Sequence, residues 1–352
     1  MSELAGREVR FRNTDIALML VAVLPALGVG GYGHLMLGIE ILDKGEPDFS
    51  LFGVAKTLSA IVAALGIVLV GAQLRGRNAT SIPPLVLRSL SGSMLFLLAT
   101  ALAVILVPRS LNHFVRELQP LSVLTEVVLV GALVFLVLSV SSAWRTGLGT
   151  LMGINGSVIH ALLSGAVFLI LMEETSWGQH WIGFGTPEAF KGNLQNETNL
   201  HNFYTYRFEL VYYSTAVLAF VLLPAFWPKR LPQMLSQLGY YVPPTWFALF
   251  ALPVCGLMYE SWNIIPYQIW FFCGLLTAVV IGRNDTKLRM AALIQAALLM
   301  LSQLVFLTLG HNMEDGYELS EVREFFISVL IAGYALITWR RATGEGASAS
   351  ST

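Results

Sequence analysis

Charge is what this sequence has least of: Asp, Glu, Lys and Arg together make up 12% of its 352 residues. Soluble domains usually carry about twice that share. Here 55% of the residues are hydrophobic and the mean hydropathy is +0.68, which excludes an ordinary soluble enzyme. Cysteine is nearly absent as well. Cys255 and Cys273 are the only two, and both fall inside apolar runs, so a disulfide framework is excluded. No P-loop, nucleophile elbow or zincin H-E-x-x-H motif occurs. The basic residues are scattered, with none of the patches that nucleic acid requires. Gly28, Gly30 and Gly33 satisfy G-x-G-x-x-G, but within an apolar helix such glycines serve close packing rather than a dinucleotide.

What the sequence does have is apolar runs of bilayer-spanning length. They predict an all-α polytopic transmembrane bundle of about ten spans, near 15–39, 51–73, 85–107, 120–143, 152–174, 205–227, 244–262, 264–282, 288–310 and 320–340. Residues 1–340 read as one integral membrane domain and 341–352, rich in Ala and Ser, as a disordered cytoplasmic tail. Arg7, Arg10 and Arg12 precede the first run, which reads as a retained anchor helix. Pro25, Pro224 and Pro253 fall inside spans and predict kinks.

With this alternation, 14 of the 21 Lys and Arg residues fall on the side that holds both termini. Basic residues stay in the cytoplasm, so both termini are expected there. The acids sort the other way, 17 of 22 lying on or near the outer face. Such a surface attracts cations and repels free anions.

The longest outer connection, residues 175–204, joins the fifth and sixth spans and follows directly on "EE" at 173–174. Glu173 and Glu174 point about 100° apart on a helix, so one can face the bundle as a general acid or base. Acids at that depth also simply end a span. His180 joins them as a catalytic candidate. Ser176, Trp177, Gln179, Asn199 and Asn202 offer the directional hydrogen bonds that recognise a head group, although Asn is equally a turn residue. Trp177 and Trp181 suit the membrane interface. Glu197 and His201 are spaced i, i+4, which on a helix shares one face and could hold a divalent metal, with Glu174 or His180 as a third ligand. Thr186 and Pro187 predict the start of a short helix.

A second outer cluster follows the ninth span, where His311 is a substrate-binding candidate beside Glu314 and Asp315. Ser320 reads as an N-cap, with Glu318, Glu321 and Glu324 as acids near a helix start. Five of the six histidines lie toward the outer side. Glu40, Asp43, Glu126, Glu209 and Glu260 are further acids at that level, and Glu126 and Glu260 are notable because each lies within or just at the end of a span.

The stretches "EETSWGQHWIGFGTPEAF" and "NLQNETNLHN" resemble a group of bacterial multi-pass membrane proteins with E-E-x-S-W-G-Q followed by E-x-N-L-H-N. The resemblance covers about 30 residues. It implies membrane localisation and a shared importance of Glu173, Glu174, Ser176, Trp177, Gln179, Glu197, Asn199 and His201, and it names no reaction. A looser similarity is to membrane hydrolases that bind zinc through a Ser, an Asp and three His, but the paired histidines of their last helix are missing here. The expectation is an enzyme with an outward-facing site, acting on a membrane lipid or lipid-linked head group by acid–base or metal-assisted chemistry. The alternatives are a proton- or cation-coupled transporter, or a non-catalytic subunit that docks a partner through its outer loop. The sequence specifies no oligomeric state.

Overall fold

The computed structural model describes residues 13–42, 44–75, 84–116, 118–193, 195–228 and 236–344. The anchor's basic residues Arg7, Arg10 and Arg12, the candidate Asp43 and the tail beyond 344 lie outside the described residues. The fold is all-α, and among the described residues nine helices are long and apolar enough to cross a membrane. They are α1 (Asn13–Leu37), α2 (Leu51–Leu74), α3 (Pro84–Leu106), α4 (Pro120–Thr146), α5 (Gly156–Glu174), α6 (Thr205–Phe226), α7 (Ile265–Asn284), α8 (Arg289–Leu309) and α9 (Glu318–Ala342). A two-residue β-hairpin at Thr150–Leu151 and Ile154–Asn155 joins α4 to α5. The last helix reaches Ala342, two residues into the stretch expected as a tail.

The chain forms two compact units. Unit 1 comprises 1–100 and 217–307, and unit 2 comprises 101–216 and 308–352.

In unit 1, α2 packs against α1 and α7. The approach to α1 is close enough that a Cβ on Gly66 would sit 2.2 Å from the Ala22 methyl, the use that membrane helices make of small residues. The expected span 244–262 is not a regular helix. It consists of Thr245–Phe250, a 3-10 turn at Leu252–Cys255, an extended stretch and a second 3-10 turn at Glu260–Asn263. Pro228, which precedes it, and Glu260 and Asn263, at its end, nevertheless lie at opposite ends of α2. At the C-terminal end of α2, Arg75 pairs with Pro228. Past its N-terminal end, Glu260 accepts from the Gly45 N–H at 2.9 Å, and Asn263 accepts from the Asp48 N–H at 2.8 Å. Between those ends lies a helix of 24 residues, about 36 Å long at 1.5 Å per residue.

Irregular backbone at membrane depth survives only inside protein, where its polar groups find partners. Apart from Phe250, the apolar side chains from Phe247 to Met258 are almost wholly buried. Three glutamines supply the partners. Gln295 donates to the Leu249 carbonyl at 3.0 Å, Gln303 to the Met258 carbonyl at 2.6 Å, and Gln268 to the Trp262 carbonyl at 2.8 Å. Gly274 on α7 completes the fit, since a Cβ there would meet Cys255 Sγ at 2.8 Å. Pro253 thus marks a break rather than a kink, whereas Pro224 is accommodated by a π-helical turn at Leu218–Leu222.

In unit 2, α4 packs along both α5 and α9. The helix expected to start at Ser320 begins at Glu318. Glu318, fully buried, turns back to accept from the N–H groups of Glu314 and Asp315 at 2.9 and 3.1 Å.

Candidate functional site

All of the following residues belong to unit 2. The helix α5 ends at Glu174, and the chain then reverses through three consecutive residues with positive φ: Ser176 (+47°), Trp177 (+54°) and Gly178 (+86°). For non-glycine residues this left-handed backbone costs roughly 1–2 kcal/mol each, so the surrounding contacts must hold it in place.

Those contacts come from the second half of the motif. The Ser176 hydroxyl donates to Glu197 Oε2 at 2.7 Å, and Asn199 Nδ2 donates to the same oxygen at 3.0 Å. His180 Nε2 lies 3.3 Å from Glu197 Oε1. Glu197 is therefore a hub that joins both halves. Asn193 frames it, accepting from the Glu197 N–H at 3.0 Å and donating to the Glu197 carbonyl at 2.6 Å. Gln179 accepts from the Thr198 N–H at 2.7 Å and donates to Thr186 Oγ1 at 3.0 Å. Asn202 bonds to Gln195. Trp181 Nε1 donates to Glu126 Oε2 on α4 at 2.8 Å, which ties the loop to the bundle.

Glu173 is committed in the same way. Its Oε1 accepts from Trp177 Nε1 at 2.9 Å, and its Oε2 accepts from the N–H groups of Leu200 and His201 at 2.8 and 3.1 Å. The His201 ring also approaches it, Nδ1 lying 3.3 Å from Oε2. Oε1 of Glu173 thus holds the start of the loop, and Oε2 latches the end of α5 to its far end.

Glu174 enters none of these bonds. It lines a cavity of about 130 Å³ together with Glu173, His201, Thr205, Glu209, Tyr212 and Glu324, walled by Leu169, Ile170 and Phe208. Leu169 and Phe208 are 53% and 52% exposed, so the cavity reaches the flank of the helices. Leu169 lies five residues before the end of α5, about 7.5 Å in along the helix axis. The charged neighbours of Glu174 are Glu324, Glu126 and Glu173. Behind Glu324, the Tyr213 hydroxyl donates to it, and the buried Arg323 guanidinium stacks 3.6 Å from the Tyr213 ring centroid.

The structure therefore sorts the sequence candidates into three groups. Ser176, Trp177, Gln179, His180, Asn199, Asn202, Glu197 and Glu173 knit the loop, and Glu174 and His201 face the cavity. His311 is exposed on a 3-10 turn and does not line the cavity. Its expected partner Asp315 bonds instead to Asn112 at 2.5 Å and Arg116 at 3.3 Å.

Glu197 and His201, expected to share a helical face as a ligand pair, do not lie on one helix. Residue 197 lies in a bend rather than a helix, and the two side chains bond to different partners, His180 and Glu173. Among the described residues no group of three or more His, Cys, Asp or Glu is arranged to hold a metal ion. The short helix expected from Pro187 is a 3-10 turn at Glu188–Phe190, with Pro187 as its cap.

Sequence reasoning missed Tyr212 and Phe208 and took Glu324 for an ordinary acid near a helix start. The available signal was depth. Glu324 lies six residues into α9, beyond the first turn where acids merely favour the helix terminus. No family model, curated protein or solved structure matches the chain.

Proposed function

We propose that this integral membrane protein is an enzyme of the bacterial inner membrane that works on a lipid or lipid-linked head group at the outer face, with Glu174 as the acid–base group. The observation that carries this reading is the division of the motif's acids. Glu173 and Glu197 are tied into the loop by hydrogen bonds, whereas Glu174 faces a cavity that opens on the flank of the helices. A head group entering sideways from the bilayer meets that cavity at about interfacial depth. Counting the broken crossing with the nine apolar helices of the described residues, this reading takes ten passes with both termini on one side, and the bias of the basic residues supports the cytoplasm as that side.

The test is a comparison of membrane lipids, by mass spectrometry, from cells lacking the protein and cells restored with wild type or Glu174→Gln. A lipid species that changes on loss, returns with wild type and does not return with the variant supports the reading. Identical lipid profiles in all strains overturn it.

A second reading, proton- or cation-coupled transport, is favoured by the broken crossing in unit 1, because discontinuous spans build the ion sites of many transporters. Substrate-driven proton uptake by vesicles holding the purified protein, lost in Glu174→Gln, distinguishes it from an enzyme.

A further inference from the structure

The lining of the cavity restricts what can enter it. Four carboxylates, Glu173, Glu174, Glu209 and Glu324, face about 130 Å³, and no Lys or Arg is among the lining residues. A fifth carboxylate adjoins them. Glu126 is 5% exposed, counts among the charged neighbours of Glu174, and has one oxygen, Oε1, buried without a hydrogen-bond partner. Phosphate and carboxylate guests are therefore repelled, and a cation is favoured.

The remaining walls decide between kinds of cation. Hard metal ions require a shell of oxygen ligands, and here Leu169, Ile170 and Phe208 occupy part of the wall. Aromatic groups fill more of it. Tyr212 lines the cavity, and the His201 and Phe208 rings stand 5.9 Å apart between centroids. Carboxylates combined with ring faces and apolar walls suit an organic ammonium group. The cavity has room for a small amine terminus.

We infer that the cavity binds the ammonium terminus of an amine-bearing molecule, with Glu174 and Glu324 as counter-charges. This rests on the reading of the cavity as the functional site and names the substrate class: an amine rather than a phosphate or carboxylate group.

The test uses the full-length protein purified in detergent and titrated with ethanolamine, ethylene glycol or inorganic phosphate, with tryptophan fluorescence as the readout. Trp177 reports on the site because its indole bonds to Glu173 in the cavity wall. A saturable response to ethanolamine alone is expected, weakened roughly thirty-fold or more in Glu174→Gln. A response of equal size to ethylene glycol, no response to ethanolamine, or unchanged affinity in a folded Glu174→Gln variant overturns the inference. If circular dichroism shows that this variant is unfolded, the comparison of probes on the wild type and on Glu324→Gln still decides.

Repeating the titration in bilayer discs identifies the source of the amine. Ethanolamine binding that weakens when phosphatidylethanolamine replaces phosphatidylglycerol assigns the site to a lipid head group, and unchanged binding assigns it to a soluble amine. Ammonium binding without any change in cellular lipids overturns the enzyme reading alone.

Discussion

Gln303 brackets Met258: its amide nitrogen donates to the Met258 carbonyl at 2.6 Å while its amide oxygen accepts from the Met258 N–H at 3.3 Å. One side chain on α8 thus satisfies both backbone groups of a buried residue in a crossing that has no helix to satisfy them. Gln303→Leu is expected to lower stability by about 1–3 kcal/mol, the cost of leaving buried polar groups unmade. The loss should appear as a lower unfolding midpoint in detergent. An unchanged midpoint would show that the crossing does not depend on this bracket.

The two adjacent glutamates should separate cleanly. Glu173→Gln replaces one acceptor oxygen by an NH2, so either the indole on Oε1 or the two N–H groups on Oε2 lose their acceptor. It should therefore release the loop, seen as faster proteolysis between Gly183 and Gly192. Glu174→Gln should leave proteolysis at the wild-type rate. Equal sensitivity of the two variants would contradict the division of roles.

The reversal after α5 depends on Gly178, whose φ is +86°. Gly178→Ala is expected to destabilise by roughly 1–2 kcal/mol and to loosen the same loop. A neutral substitution, judged by thermal unfolding, would mean that the reversal is not held as described.

Asp48 supplies a pH dependence outside the spans. The Ser50 hydroxyl, with help from the Ser50 N–H and Lys56, holds its carboxyl below the usual carboxylate range against the opposing effect of burial. A depressed folded-state value stabilises the fold above the unfolded value, about 3.9, and that contribution disappears as the pH falls through the lower folded value. Asp48→Asn should therefore be less stable than wild type at neutral pH, and the difference should shrink below about pH 4. A difference that stays constant down to acid pH would sink this assignment.

Much of the membrane architecture was legible because length and composition dictate it: the expected span 264–282 is α7, Ile265–Asn284. The break at 251–264 was not. Its residues are as apolar as those of any span, and the partners that permit irregular backbone, Gln295 and Gln303, lie some 40 residues further along the chain. Pro253 was visible, but kink and break differ only in tertiary context.

At the site, the sequence brought the right residues together without their roles. That Glu173 is tied into the loop depends on the left-handed turn at 176–178, which brings the Trp177 indole back onto it, and nothing in "TSWG" announces positive φ at a serine and a tryptophan. The i, i+4 spacing of Glu197 and His201 misled because it presumes a helix, and here the backbone bends around Asn193. Glu324 joins the cavity from a helix more than 100 residues away, which only folding reveals.

The central claim is that the carboxylate of Glu174 faces the cavity outside the loop's hydrogen bonds, whereas those of Glu173, which also lines the cavity, and Glu197 are bonded into the loop. Labelling with a hydrophobic carbodiimide, followed by peptide mass spectrometry, tests it most directly. The account predicts an adduct on Glu174 that a bound amine suppresses, with Glu173 and Glu197 protected by their hydrogen bonds. Label on Glu173 or Glu197, with Glu174 unmodified, would contradict it.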